Sequence, residues 1–193
     1  MRKIISKEEE DKKKKRNQLI VGGGLILIMF LSILGYSTMK DKKENNEKII
    51  YNGIEFIKES GLWNAKIGDF QFSFRYNPNE AENIDSALNQ LDNYRNKPLY
   101  IYSEDTDSEI EIYRNLFYYN RIAERVQNAC LEEDREKCEE SSPIKTCEDN
   151  FIIIRESENT EIKQQDNCVF IEGKKEDLIK LSDGFLFKIT GVQ

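Results

Sequence analysis

The sequence predicts an α+β domain, in which helices pack on a mostly antiparallel sheet, preceded by one N-terminal transmembrane helix. An uncharged apolar run of 18 residues, 19–36, predicts the transmembrane helix. In the 145 residues from 49 to 193, several short runs alternate apolar and polar side chains, as strands do. Three stretches repeat apolar residues at helical intervals, and the resulting order β-β-β-α-β-α-β-β-α is typical of α+β proteins.

The apolar run from Leu19 to Tyr36 indicates where the protein is located. As a helix it would extend ~27 Å, close to the hydrocarbon thickness of a bilayer, so the lipid bilayer is its first expected partner. Five consecutive basic residues, 12–16, precede the run, whereas the three lysines within 40–43 are mixed with acidic residues. This asymmetry predicts that the N-terminus is cytoplasmic and that the C-terminal domain lies outside the cell membrane.

The chain therefore divides into four predicted parts: a charged cytoplasmic tail at 1–17, a transmembrane helix at 18–39, a polar linker at 40–48 and an extracytoplasmic domain at 49–193. A cleaved signal peptide is the alternative to an anchor, because Gly35 and Ser37 form a small-x-small pair. The long charged leader and the length of the apolar run favour the anchor.

The charged tail allows two interpretations. The four acidic residues 8–11 each precede a lysine by four residues, which is the favourable order for ion pairs on a helix. Either the membrane helix continues back into the cytoplasm, or these residues form a solvated charged run.

The composition of the domain excludes several classes of function. It has 17 basic and 29 acidic residues, a net charge of −12, so we expect no binding to nucleic acid. The chain has no histidine, which excludes the usual Ser-His-Asp and Cys-His catalysis and removes the commonest ligand of transition metals. We therefore assign no catalytic residue, no cofactor and no metal ligand.

The domain is predicted to begin with an antiparallel meander of about three strands. The three phenylalanines of the run 70–76 alternate with polar residues, and glycines separate this run from the preceding ones within 51–67. Apolar residues on one face then predict a short helix over Ile84–Tyr94. Leu99–Tyr102 is apolar on both sides, which predicts an interior strand.

The longest helix of the domain is predicted over Ser108–Cys130. Ser108 and Glu111 form a capping box at its start. Core-facing residues follow at steps of four, three, four, three and four, at Ile112, Leu116, Tyr119, Ala123, Val126 and Cys130. Tyr113 and Phe117 widen this stripe. Its aromatic side chains could line a ligand groove, but the spacing favours packing of the helix on the sheet.

The remaining residues are predicted to form a loop, two strands and a helix. Residues 131–146 are acidic and interrupted by serine and proline, which indicates a loop. The strands follow at 151–154 and 168–171, and 161–165 is a candidate for a short edge strand between them. From Lys174 to Ile189 the spacing favours a helix, although the Asp183-Gly184 pair could instead begin a last strand.

All four cysteines of the chain lie in this domain, at Cys130, Cys138, Cys147 and Cys168. An even number confined to the exported part predicts two disulfides. Of three possible connectivities we favour the local one, in which Cys130 pairs with Cys138 and Cys147 with Cys168. The second bond requires that the strands beginning near Cys147 and at Cys168 start at the same end of the sheet. A strand between them in the chain would return the chain to that end. The wide spacing argues against zinc and thiol redox sites, which need Cys-x-x-Cys pairs.

Two patterns partly match catalytic motifs. Residues Ser142 to Lys145 fit Ser-x-x-Lys, the nucleophile motif of penicillin-binding proteins and class A β-lactamases, but the companion Ser-Asp-Asn and Lys-Thr-Gly motifs are absent from the sequence. Carboxylate pairs such as Asp105 with Asp107 are expected among 29 acidic residues without any function. A glycosidase would need two carboxylates that face one cleft, which sequence alone does not establish.

These observations predict a single-pass membrane protein whose acidic, disulfide-bonded domain is held at the outer membrane face. The leading function is a non-catalytic interaction or accessory module, with another membrane or surface protein as its partner. The alternatives are a small carboxylate-dependent hydrolase and a membrane-tethered carrier of a small ligand. A deep pocket with two convergent carboxylates would favour the hydrolase, an apolar pocket the carrier, and an apolar surface patch the interaction module.

Overall fold

The computed structural model describes residues 7–38, 47–138 and 140–193. The chain divides into two units, residues 1–45 and residues 46–193. Residues 1–6 of the predicted tail, and 40–46 of the predicted linker, lie outside the described residues.

The first unit contains one helix, α1, Lys7–Thr38. Of the two interpretations of the charged tail, the structure has the continuous helix, which begins ahead of the basic run. The segment Lys12–Ile33 is long and apolar enough to cross a membrane, and none of its most apolar stretch is buried in the structure. A signal sequence would meet the same criteria, so α1 is a candidate span by length and composition.

The second unit begins with a four-stranded antiparallel sheet. Its strands lie in chain order, at β1 (Lys48–Tyr51), β2 (Ile54–Glu59), β3 (Leu62–Ile67) and β4 (Phe70–Phe74). The predicted meander is confirmed, with one strand more than expected. Asn52 and Gly53 have φ of 48° and 82°, and Ser60 and Gly61 have 52° and 84°. Two consecutive positive φ angles are typical of type I′ hairpin turns, whose twist matches that of the strands.

A second sheet has five strands in the order β10-β11-β9-β5-β6. Its strands are β5 (Pro98–Ser103), β6 (Arg125–Asn128), β9 (Phe151–Glu156), β10 (Glu161–Gln165) and β11 (Cys168–Gly173). Only β10 and β11 pair antiparallel, and the other three pairs are parallel. The expectation of a mostly antiparallel sheet therefore holds for the first sheet, whereas the second is mixed.

The short helix predicted over Ile84–Tyr94 is wrong, because the structure has only a 3-10 turn there, Leu91–Asn93. The segment instead runs beside β10. Ser86 Oγ donates to the carbonyl of Ile162 at 2.5 Å, and Asn89 N donates to the side chain of Gln164 at 2.7 Å. Hydrogen bonds to a neighbouring strand replace the internal bonds that a helix would have made.

The long helix predicted over Ser108–Cys130 is also wrong in its second half. Helix α2 spans Thr106–Tyr113, a π-helical turn spans Arg114–Tyr118, and the chain then enters β6. The helix begins after Asp105, whose carboxylate accepts hydrogen bonds from the backbone N and hydroxyl of Ser108, so Ser108 is not the capping residue.

Pairing with β5 explains why the helix ends early. Asn96 N donates to the carbonyl of Ile122, and Glu124 N donates to the carbonyl of Lys97, both within 2.9 Å. Ala123 and Val126 fit a helical stripe, yet they are also covered in the extended chain. The spacing therefore did not distinguish the two conformations.

The predicted loop over residues 131–146 contains short regular elements. A parallel pair of two-residue strands, β7 (Cys130–Leu131) and β8 (Ile144–Lys145), encloses a 3-10 helix at Glu132–Lys137. Cys130 therefore lies in a strand rather than at the end of a helix.

The C-terminal helix is confirmed as α3, Leu178–Ile189, after a 3-10 turn at Lys175–Asp177. A Cβ atom at Gly184 would lie 2.8 Å from the carbonyl oxygen of Glu82, so glycine permits the close approach of that segment. Asp183-Gly184 therefore belongs to the helix and does not begin a strand.

Helix α3 lies between the two sheets. Phe187 contacts Phe74 and Phe56 of the first sheet, at centroid distances of 4.3 and 5.9 Å, and Leu181 lies against Gly173 of β11. A second, smaller core lies on the opposite face of the five-stranded sheet, under the segment 130–147; its buried members are Tyr100, Ala129, Leu131, Phe151, Ile153, Cys168 and Phe170. The two cores reflect the alternation of side chains along each buried strand.

Candidate interaction surface

Exposed aromatic side chains cluster on α2 and the π-helical turn. We define the aromatic surface as Ile110, Tyr113, Phe117, Tyr118 and Tyr119. Tyr118 and Tyr119 are 61% and 51% exposed, and their rings lie 5.3 Å apart. Tyrosine is enriched in protein interfaces because it combines a large apolar surface with a polar end.

The π-helical turn separates this surface from the core. Tyr119 N donates to the carbonyl of Arg114 at 3.1 Å, five residues back. Ile112 and Leu116 are fully buried on the inner side. Tyr119, predicted to lie in the core, is instead on the outside, because the wider turn breaks the helical stripe after Leu116. Such π turns occur frequently at functional sites.

Two asparagines fix the turn to the edge of the first sheet. Asn120 accepts a hydrogen bond from Gln71 N at 3.0 Å and donates to Gln71 O at 2.9 Å. Asn115 makes the same pair of bonds with Ser73, two residues further along β4. The two carboxamides together occupy the free backbone groups of an edge strand, so the aromatic surface rests on a fixed support.

A buried ion cluster lies beneath the surface. Glu111 on α2 is fully buried, and its carboxylate accepts hydrogen bonds from Arg114, at 2.9 and 3.2 Å, and from Arg75, at 3.2 Å. Arg75 also binds the exposed Asp107, at 3.0 Å. Burial raises the pKa of Glu111, against the opposing effect of the two arginines. A buried carboxylate with two cationic partners holds α2 in one orientation.

A second buried carboxylate, Asp183 of α3, lies near this cluster. Its Oδ2 accepts a hydrogen bond from Tyr76 N at 2.8 Å, whereas its buried Oδ1 has no partner among the described residues. Burial, and next the negative charge of Glu111, raise the pKa of Asp183 well above its usual value. The sequence analysis named Glu111 only as a capping residue, and it did not predict that Glu111 and Asp183 influence each other.

Both carboxylates are fully buried in the structure. Four surface concavities are described, and neither Glu111 nor Asp183 lines any of them. Three of the four are lined mainly by charged and polar side chains. Within the described parts of the chain, no three acidic or cysteine side chains converge as metal ligands would.

Both disulfides of the structure involve the segment 130–147, which covers the smaller core: the first lies within it, and the second bonds it to Cys168 of β11. Cys130 is bonded to Cys138, and Cys147 to Cys168, with Cα atoms 6.0 and 4.9 Å apart. This is the same pairing that we favoured from the sequence. The strand β10 returns the chain so that β9 and β11 run parallel, with Phe151 opposite Cys168. Both strand starts therefore lie at the same end of the sheet.

The residues of the Ser-x-x-Lys match contact different groups. Ser142 lines a concavity together with Cys138. The ammonium of Lys145 lies over the ring of Tyr100, 4.2 Å from its centroid, and 3.5 Å from the carboxylate of Asp149. The motif therefore does not describe a catalytic pair in this structure.

The sequence does contain one signal for the aromatic surface. Phe117, Tyr118 and Tyr119 are consecutive, and three adjacent aromatic residues on a helix point in different directions. At least one of them must face solvent. In contrast, no spacing indicates that Asn115 and Asn120 bind β4, or that Asp183 approaches Glu111.

Comparisons with known protein families, with curated protein sequences and with solved structures gave no match. The interpretation of the aromatic surface therefore rests on the geometry and chemistry of this chain.

Proposed function

We propose that this protein is a single-pass, membrane-anchored interaction module whose aromatic surface binds another membrane or surface protein outside the cytoplasm. The observation that carries the proposal is the cluster of exposed rings of Tyr113, Tyr118 and Tyr119, on a turn held by hydrogen bonds to β4. Because the turn that carries these side chains is already held in place, its backbone loses little entropy on binding. Exposed tyrosines of this kind are frequent hot spots of protein interfaces.

The charges at the surface suit a protein partner. Arg121 lies over the ring of Phe117, 4.2 Å from its centroid, and on α2 Asp107 is exposed and Glu109 is half-buried. A rim with both charge signs around an aromatic centre is the usual anatomy of a protein interface.

The candidate span and the disulfides support the location. Disulfides persist in oxidising compartments, and the basic residues 12–16 favour a cytoplasmic N-terminus. With the domain anchored at the membrane, its partners are proteins of the same membrane or of the adjacent surface.

The test is site-specific crosslinking of the full chain in its own membrane. A photo-reactive phenylalanine analogue is placed at position 118, and at position 66 as the matched control, because Lys66 is exposed on β3 of the first sheet. We expect one adduct with one other protein from position 118 and none from position 66. Tyr119→Ser should reduce that adduct without changing expression.

Three results would overturn the proposal. They are no adduct at position 118, equal adducts at both positions, or an adduct that contains only two copies of this chain.

A further inference from the structure

The two sheets have four edge strands, and two of these edges are covered. Asn115 and Asn120 occupy the backbone of β4, and Ser86 binds the carbonyl of Ile162 on β10. Proteins generally cover or charge their edge strands, because an open edge pairs with other chains. The edges of β1 and β6 have no such cover among the described residues.

The outward backbone groups of β6 follow from its pairing with β5. Ala129 N donates to Ile101 O at 3.0 Å, and Gln127 lies opposite Tyr100 in the parallel register. Alternate residues of a strand direct their amide and carbonyl groups to opposite sides. The groups of Val126 and Asn128 therefore point away from β5, and no hydrogen bond to them occurs within the described part of the chain.

Two cations lie beside this edge, in a domain whose net charge is −12. Arg125, the first residue of β6, donates to the phenol oxygen of Tyr100 at 3.1 Å rather than to a carboxylate. Lys145 lies over the same ring and is 3.5 Å from Asp149. The hydrogen bond from Arg125, and then the ammonium of Lys145, lower the pKa of Tyr100.

The edge of β1 has no comparable charge. Its Lys48 is 3.4 Å from Glu55, and the neighbouring Lys58 is 3.4 Å from Glu47, so each cation there already has a carboxylate partner. Lys145 likewise has a carboxylate partner, so the two open edges differ in Arg125, which makes no ion pair among the described residues. Arg125 therefore makes β6 the edge suited to an anionic partner.

A concavity of about 290 Å³ lies at the carboxyl end of β6. It is lined by Ile101, Tyr102, Ser103, Asn128, Ala129, Cys138 and Ser142. A strand added beside β6 would pass this concavity, which could accept one of its side chains. Backbone pairing together with a side-chain pocket is the usual form of recognition by strand addition.

We propose that β6 binds an extended acidic segment of a partner protein as an added strand, with a carboxylate of that segment at Arg125. The backbone groups of Val126 and Asn128 pair with the segment, and Arg125 selects its charge. The proposal rests on β6 and Arg125 and does not depend on the aromatic surface.

The test measures peptide binding by hydrogen exchange of backbone amides, with the full chain in lipid nanodiscs. The probes are seven-residue peptides that alternate valine with glutamate, with glutamine or with lysine. We expect the glutamate peptides to bind most tightly and to slow exchange at Val126 and Asn128. The glutamine peptides should bind about 2- to 5-fold more weakly, as opposite-charge cross-strand pairs suggest.

Variants distinguish the contribution of the charge of Arg125 from that of backbone pairing by β6. Arg125→Gln should remove the preference for glutamate, whereas Arg125→Lys should keep most of it. Val126→Pro, which removes an outward N–H, should abolish binding, and Ile50→Pro on the β1 edge is its matched control. Thermal melting of each variant identifies any that fails to fold. If Val126→Pro does not fold, the peptide preference of Arg125→Gln decides the proposal.

Equal binding of the three peptide sets would overturn the proposal, as would protection of β1 instead of β6. No binding at all, or self-association of the chain through β6, would also overturn it.

Discussion

The carboxamide of Asn115 pairs with the backbone of Ser73 in both directions. Ser73 N donates to Asn115 Oδ1, and Asn115 Nδ2 donates to Ser73 O, each at 2.8 Å. Both residues are buried. A single side chain thus makes the contacts that a neighbouring strand would have made, and it joins the π-helical turn to the first sheet.

Removing this carboxamide should destabilise the domain. Asn115→Ala leaves a buried N–H and a buried C=O of Ser73 without partners, at about 1–3 kcal/mol for each group. We expect a lower free energy of unfolding in denaturant titration. Asn159→Ala, on an exposed turn, is the matched control and should change it by less than about 0.5 kcal/mol. Equal small effects would contradict the structural role of Asn115.

Alanine substitutions at Leu116 and Tyr119 should differ in their effect on the free energy of unfolding, although the sequence pattern predicted that both residues lie in the core. Leu116 is fully buried, so Leu116→Ala should cost about 2–5 kcal/mol. Tyr119→Ala and Glu124→Ala, at exposed positions, should each cost far less. Chemical denaturation of the three variants checks this, and a large loss at Tyr119 would restore the helical interpretation.

The buried carboxylates predict a pH dependence with a definite sign. The pKa of Asp183 is raised in the folded state, by burial and by Glu111, so the folded protein holds its proton more tightly than the unfolded chain. The stability that the protonated form contributes is fully present below the unfolded pKa of about 4. It is lost as the pH rises through the folded pKa.

Asp183→Asn tests this dependence, because an amide keeps an acceptor for Tyr76 N and does not titrate. The variant should gain stability relative to the natural protein as the pH rises from about 4 to 8. Glu111, whose pKa is also raised by burial, is common to both proteins. A difference between the two melting temperatures that does not change with pH would contradict the prediction.

Sequence patterns correctly predicted the elements in which the spacing of apolar residues matches the burial of those residues in the structure. Helix α3 and the apolar strands β9 and β11 are buried along most of their length, so their composition was sufficient. Prediction was wrong over 84–94 and 119–130, where hydrogen bonds to strands distant in the chain replaced helical ones. The second of these errors also hid the aromatic surface. The predicted helix placed Tyr119 in the buried stripe, whereas in the structure that stripe ends at Leu116.

The topology of the chain can be tested with tags. The basic residues 12–16 predict a cytoplasmic N-terminus, so protease added to intact cells or spheroplasts should digest a C-terminal tag and spare an N-terminal one. Permeabilised cells, in which both tags are digested, are the control. Digestion of the N-terminal tag alone in intact cells would reverse the orientation.

The most direct test of the account is a non-reducing peptide map of the protein taken from its own membrane, because an exported interaction domain must hold its disulfides there. We expect no free thiol, with Cys130 linked to Cys138 and Cys147 linked to Cys168. Reduction should lower the melting temperature, since each bond contributes about 2–4 kcal/mol to a total of about 5–15 kcal/mol. Four thiols that react freely with an alkylating reagent would contradict the location outside the cytoplasm, and with it the proposed function.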